Sequence, residues 1–210
     1  MKQFLAAIFL ISGTFHAIAQ DENDWIAADT VRNKIKFGFS LGVNYSNAFS
    51  RQELPHSISF GNDVGFRLGL VMDVPISDKM IFSPKAEVSV NRSVVRISDI
   101  DNFTVTHKIL PVSLDYMSHF VYKLGSGKRV PYVLAGPNIK VPVISRSETS
   151  TDFKTKADWA IDLGFGLNNQ LSNLIFSPEI RYSFGLRNIN TNPILQSLYF
   201  HNITLVFSFK

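Results

Sequence analysis

The 210-residue chain contains no cysteine. Disulfide cross-links and thiolate-bound structural zinc are therefore excluded, whatever compartment the protein occupies. Charge is also scarce: charged residues make up 18% of the chain, low for a water-exposed surface of this length. Basic residues are scattered without a run of five or more, and the formal net charge is only +4, so the footprint of a nucleic-acid binder is missing. Long apolar runs are absent too. The one near the start, Phe4 to Ile11, is too short for a membrane-spanning helix.

What that run does fit is a secretory signal peptide. Lys2 precedes it and the small-residue pattern Ala17-Ile18-Ala19 follows it, which predicts cleavage after Ala19. Residues 1–19 are expected to be the signal peptide, 20–33 an acidic periplasmic leader and 34–210 the folded body.

From Lys34 onward the hydrophobic period is 2. In KIKFGFSLGVNY, residues Ile35, Phe37, Phe39, Leu41, Val43 and Tyr45 alternate with Lys36, Gly38, Ser40, Gly42 and Asn44. In DVGFRLGLVMDV, residues Val64, Phe66, Leu68, Leu70, Met72 and Val74 alternate with Gly65, Arg67, Gly69, Val71 and Asp73. The pattern recurs near 80–92, 105–120, 130–142, 158–168, 174–186 and 198–210. Strict alternation over such lengths predicts β-strands. At roughly 10–14 residues each, they exceed ordinary soluble strands and match the reach of a membrane-crossing strand.

The connections alternate between long and polar (48–62, 93–104, 143–157, 187–197) and short (75–79, 122–129, 169–173). Together these features predict an all-β fold: an eight-stranded antiparallel transmembrane β-barrel in an up-and-down meander, with long extracellular loops and short periplasmic turns. An even strand number puts both termini in the periplasm and the protein in the cell outer membrane. A soluble barrel has the same period with its faces exchanged. The almost unbroken apolar face, and a polar face rich in Gly, Ser and Asn, favour lipid outside and a narrow, filled lumen inside. Pro84, Pro111, Pro131, Pro137, Pro142 and Pro178 lie in or beside the strands, where each removes a ladder hydrogen bond. Pro131, Pro137 and Pro142 leave the phase of the fifth strand open between Tyr132/Leu134 and Val133/Ala135 facing lipid.

This phase turns Arg67, Asp73, Lys85, Glu87, Asp162, Glu179 and Arg181 inward. An internal echo relates them. IFSPKAEVSVN from Ile81 resembles IFSPEIRYSFG from Ile175, 94 positions later, so Lys85 and Glu87 occupy the places of Glu179 and Arg181 with signs exchanged. FRLGL and IDLGF likewise align Arg67 with Asp162. Third and seventh strands oppose each other across an eight-stranded lumen, as do second and sixth. The expected pairs are Lys85 with Glu179, Glu87 with Arg181, and Arg67 with Asp162 or another nearby acid, because desolvated charges need partners.

Catalysis is not expected of these residues, since acid–base work needs a cleft open to substrate. The histidines lack i, i+2 or i, i+4 partners, so no local metal motif exists and no cofactor is expected. A loop site built from His56 with Asp63, Asp99, Asp101 or Ser145 would need a geometry that nothing in the sequence specifies.

Several segments together resemble the PorT-type family of small, porin-like outer-membrane barrels. They are Ile109-Leu110-Pro111-Val112, the run Arg129 to Pro137 (RVPYVLAGP), the run Phe176 to Ile189 (FSPEIRYSFGLRNI), and the closing strand to Phe209. The resemblance implies an eight-stranded outer-membrane barrel of a Gram-negative cell with no established catalytic residues. It implies a structural or secretion-associated role, since one branch serves type IX secretion and gliding. A small solute porin is the alternative, and a loop-site enzyme a further one. Expected partners are outer-membrane lipid, the barrel-assembly machinery and secretion-system proteins. Lys210 follows the terminal Phe209, a departure from the usual terminal aromatic.

Overall fold

A computed structural model describes residues 35–51, 58–98, 104–143, 155–171, 174–191 and 197–210. The expected signal peptide and leader lie outside these residues, as do His56, Asp99, Asp101 and Ser145 of the loop-site reading. Among these described residues eleven strands follow in order: β1 Lys36–Phe49, β2 Ile58–Gly61, β3 Val64–Pro75, β4 Met80–Val90, β5 Val94–Ser98, β6 Thr104–Lys108, β7 Val112–Lys123, β8 Arg129–Pro142, β9 Asp158–Leu171, β10 Leu174–Gly185 and β11 Tyr199–Phe209.

The eight long strands form a closed barrel in the order β1-β11-β10-β9-β8-β7-β4-β3, with β1 pairing antiparallel to both β3 and β11. Closure leaves no free edge among the staves, which a sheet surrounded by hydrocarbon requires. The alternation sorts side chains as a lipid-facing barrel demands. Phe37 is 70% and Leu70 69% exposed, whereas Arg181 is fully buried. A water-soluble barrel would invert that relation.

The short strands were not anticipated. β2, β5 and β6 form a separate three-stranded sheet at the end where the long connections lie. They extend β3, β4 and β7 in sequence, so one wall of the barrel continues past the others. The segment expected as one strand over 105–120 is broken at Ile109–Pro111. Leu110 has φ 47°, in the left-handed region, and the side chains of Ile109 and Leu110 are completely buried. With Ala48, Ile58, Val95, Ile189, Leu198 and Phe200 they form an apolar cluster across the long-loop end. Periodicity cannot register this turn, because burial in the cap overrides the alternation on which the strand reading rests.

The fifth stave, β8, settles its phase. Val130, Tyr132, Leu134, Asn138 and Lys140 point inward, and Val133, Ala135 and Pro137 point outward. Tyr132 and Leu134 join Ile81 and Val121 in a second apolar cluster at the short-turn end, which is why an apolar inward run is tolerated there. The prolines interrupt the ladder without shifting register. The β3–β4 ladder lapses between Val71↔Lys85 and Val74↔Phe82, beside Pro84. The β7–β8 ladder lapses between Met117↔Asn138 and Phe120↔Ala135, beside Pro137. The β9–β10 ladder lapses between Phe176↔Asn169 and Glu179↔Gly166, beside Pro178. Each lapse follows from the missing N–H.

Candidate functional site

The lumen between the two apolar clusters is filled by charged side chains. All seven predicted interior residues are buried. Strand alternation aims each one inward, and barrel closure brings them together.

Across the lumen, Lys85 Nζ lies 3.0 Å from Glu179 Oε2 and 3.2 Å from Oε1. Arg181 Nη2 donates to Glu87 Oε1 at 2.9 Å and Oε2 at 2.8 Å. Arg67 does not reach Asp162. Its Nη1 is 3.2 Å from Glu87 Oε2 and its Nη2 is 2.8 Å from Asp115 Oδ2. The reason is local. Glu87 and Asp115 are register partners on neighbouring strands, and like charges directly opposite each other are unfavourable. The Arg67 guanidinium forks between them, from β3 on the adjacent stave. Asp162 is held instead by His119 Nε2 at 3.0 Å, by Asn138 Nδ2 at 3.1 Å and by the Ser183 hydroxyl.

The result is an alternating chain of charge: Lys85, Glu179, Arg181, Glu87, Arg67, Asp115. Arg181 lies at its centre. Besides the contacts of its Nη2 with both Glu87 oxygens, its Nη1 is 3.8 Å from Glu179 Oε1 and its Nε is 3.9 Å from Asp162 Oδ2. Such close, oriented and multiply bonded contacts are what let ions persist away from water. Tyr132 adds a hydroxyl donated to Glu179 Oε2 at 2.9 Å, and Ser40 adds one to Glu87 Oε1 at 3.4 Å. Toward the short-turn end Asp73 accepts from Ser83 at 2.7 Å and from Lys210 Nζ at 2.6 Å.

Sequence reasoning missed Asp115, His119, Lys140, Asp158 and Lys210 as interior groups. Asp115 and His119 share the inward face of β7 with Ser113 and Met117. Carrying the alternation of Tyr116, Phe120 and Tyr122 through that strand would have placed both inward. Lys140 and Asp158 were hidden by the open phase of β8 and by the start of β9. Among the described residues no three His, Asp or Glu side chains form a group able to hold a metal ion. Asp63, from the loop-site reading, bonds to the neighbouring backbone: its Oδ1 accepts from Val64 N at 2.7 Å.

A closed eight-stranded antiparallel barrel with apolar side chains outside and ion pairs inside is the build of an integral outer-membrane barrel protein. Residues 18–190 match the family model described as outer membrane protein beta-barrel domain, and the chain belongs to that family. An outer membrane is accordingly its location. Among solved structures it resembles Neisserial surface protein A (NspA), with TM-score 0.51, 12% identity, and 83% of this chain and 97% of that chain covered. It also resembles OprG from Pseudomonas aeruginosa, with TM-score 0.48, 15% identity, and 83% of this chain and 91% of that one covered. At these identities the likeness is one of fold. No curated protein matches the chain in sequence.

Proposed function

We propose that this protein is a non-enzymatic, non-conducting barrel that acts as a structural component of the outer membrane, in a secretion-associated role of the PorT type. One observation carries the reading: buried, closely paired charged side chains lie across the barrel interior between two apolar clusters. Arg181 spans it with partners on opposite walls, the apolar cluster of Ile81, Val121, Tyr132 and Leu134 covers the short-turn end, and that of Ile109, Leu110, Leu198 and Phe200 covers the other. A solute path would require both clusters to open and the ion pairs to part. The carboxylates of the network are bound to cations or hydrogen-bond donors, which argues against acid–base turnover there. Function then belongs to the surfaces, and among the described residues the sheet of β2, β5 and β6 lies beyond the barrel staves. Both ends of the barrel chain lie at the short-turn side, which we assign to the periplasm.

The test has two arms. Deleting the gene should reduce the release of secreted proteins or surface motility, while unchanged secretion and motility would reject the secretion role. Purified barrel in planar bilayers should give no steady conductance steps; reproducible unitary steps would reject the closed lumen and favour a porin.

A further inference from the structure

Charge is unevenly placed around the short-turn rim. The β3–β4 turn carries Asp78 and Lys79, and the β7–β8 hairpin carries Lys123, Lys128 and Arg129. β4 and β7 are neighbouring staves, as are β7 and β8, so four cations and one acid share one side of the rim. Backbone contacts hold the two turns in place: Lys123 N donates to the Lys79 carbonyl at 2.8 Å, and Leu124 N donates to the Pro131 carbonyl at 2.8 Å. The Lys123 ammonium reaches the Asp78 backbone carbonyl at 3.3 Å, while Lys79, Lys128 and Arg129 are exposed. The rest of the rim differs. The β9–β10 connection and its flanks, LNNQLSNLIF over 167–176, carry no charged residue. Across the barrel from β7, Lys210 is held by Asp73 at 2.6 Å.

This basic lip borders the lipid-facing wall. Met80, Tyr122 and Val133 stand side by side in register on β4, β7 and β8, and all three are exposed on the outer face. Ile76 and Leu124 are exposed in the adjoining turns. Tyr122 joins an apolar ring to a hydroxyl, which suits a boundary between hydrocarbon and water. The hairpin is open on its outer side. Gly127 has φ 111°, and a Cβ at Gly125 or Gly127 would meet nothing within 4 Å, so nothing crowds the approach between Lys123 and Lys128.

Cations on long, flexible side chains beside hydrocarbon-facing residues can reach headgroup phosphates while their stems stay on the apolar wall. Net charge then selects among lipids. A zwitterionic headgroup brings its own cation to the lip and an anionic one does not, and each Lys or Arg near a membrane surface adds attraction for anionic lipid. We propose that the lip of Lys79, Lys123, Lys128 and Arg129 is a binding site for an anionic phospholipid, with its phosphate against the cations and an acyl chain along Met80, Tyr122 and Val133. An acidic soluble protein would meet the same charges but leave the adjoining apolar strip unused, and that continuity favours lipid. The site lies on the outside of the barrel, so it depends neither on a closed lumen nor on a secretion role.

The test uses the full barrel in phosphatidylcholine vesicles that contain brominated phosphatidylglycerol or, for comparison, brominated phosphatidylcholine. Trp25→Phe and Trp159→Phe remove the two native tryptophans. A single reporter is then placed at the lip, Tyr122→Trp, or on the uncharged side of the same rim, Leu174→Trp. Quenching at the lip should show at least about a fivefold preference for the anionic lipid, and that preference should fall as salt rises. The reporter at position 174 should show little preference. Lys79→Gln, Lys128→Gln and Arg129→Gln together should reduce the preference at the lip to that seen at position 174. Equal quenching by the two lipids at the lip overturns the proposal and leaves the cations to an acidic soluble partner. So does an equal preference at both reporters, which would be diffuse attraction to the whole rim, or a preference that survives the triple variant or high salt. Should the triple variant fail to fold, the two reporters and the salt series decide alone.

Discussion

Lys85 and Glu179, 94 residues apart in the chain, meet at 3.0 Å in the middle of the barrel. Each comes from the same place in a repeated sequence pattern, with opposite charge, and both are buried. Removing one partner strands the other in a desolvated lumen, so Lys85→Met or Glu179→Gln alone should destabilise the barrel by about 3–5 kcal/mol. The exchanged pair, Lys85→Glu with Glu179→Lys, should recover much of that loss, because the contact survives with its sign reversed. Denaturant unfolding in detergent, read by the heat-modifiable gel shift, measures all three. A double exchange no more stable than the single variants would show that the pair does not interact as described.

Arg67 bridges two carboxylates that are otherwise apposed. Glu87 retains Arg181 when Arg67 is lost, but Asp115 loses its ion-pair contact and keeps the Ser113 hydroxyl at 2.7 Å, with Lys140 opposite it on β8. Arg67→Met should therefore cost about 3–5 kcal/mol. A second change, Asp115→Asn, should relieve part of that cost by removing the like-charge opposition. Chemical unfolding of the single and double variants checks the coupling, and strict additivity of the two changes would refute it.

These effects indicate which parts of the protein the sequence made legible. Alternation in KIKFGFSLGVNY or LIFSPEIRYSFGL names the inward residues because a pleated strand permits only two directions. Lys85, Glu87, Glu179 and Arg181 followed from that, and the echo between β4 and β10 suggested their partners. Arg67 did not find Asp162, because the choice among several acids depends on stave adjacency and tilt, which one-dimensional spacing does not contain. Ile109 and Leu110 escaped for another reason. They are apolar residues that turn inward at a chain reversal, and nothing local distinguishes them from strand residues facing lipid.

The inward phase of β8 is open to direct measurement, and the lack of native cysteine makes single-cysteine labelling clean. Val133 is 40% exposed on the lipid face, while its neighbour Leu134 is 3% exposed in the lumen. A fluorophore on Val133→Cys should be quenched strongly by brominated lipid. One on Leu134→Cys should label slowly and be quenched weakly. The reverse pattern would shift every residue of the stave by one and remove Asn138 and Lys140 from the lumen.

The last residue provides the final prediction. Lys210 follows the outward Phe209, which stacks on Phe39 at 5.0 Å and packs against Phe176 at 5.3 Å. Its backbone exchanges hydrogen bonds with Ile175 at 2.8 and 3.0 Å. Its ammonium turns inward to Asp73 Oδ2 at 2.6 Å. Asp73 lies at the end of β3, so the contact reaches past β1 and ties the first hairpin to the closing strand. That is the seam where a barrel made from one chain must join its two ends. Lys210→Met should lower stability by about 1–3 kcal/mol, the cost of leaving a largely buried carboxylate without its ammonium donor and with the Ser83 hydroxyl still bonded. Asp73→Asn should cost less, because the long, flexible Lys210 side chain at the short-turn end can turn its ammonium toward water. Changing both should cost little beyond Lys210→Met alone if the contact is the reason for the loss. Unfolding midpoints in detergent supply the cycle, and equal, additive losses from the two single changes would mean that the seam does not depend on this ion pair.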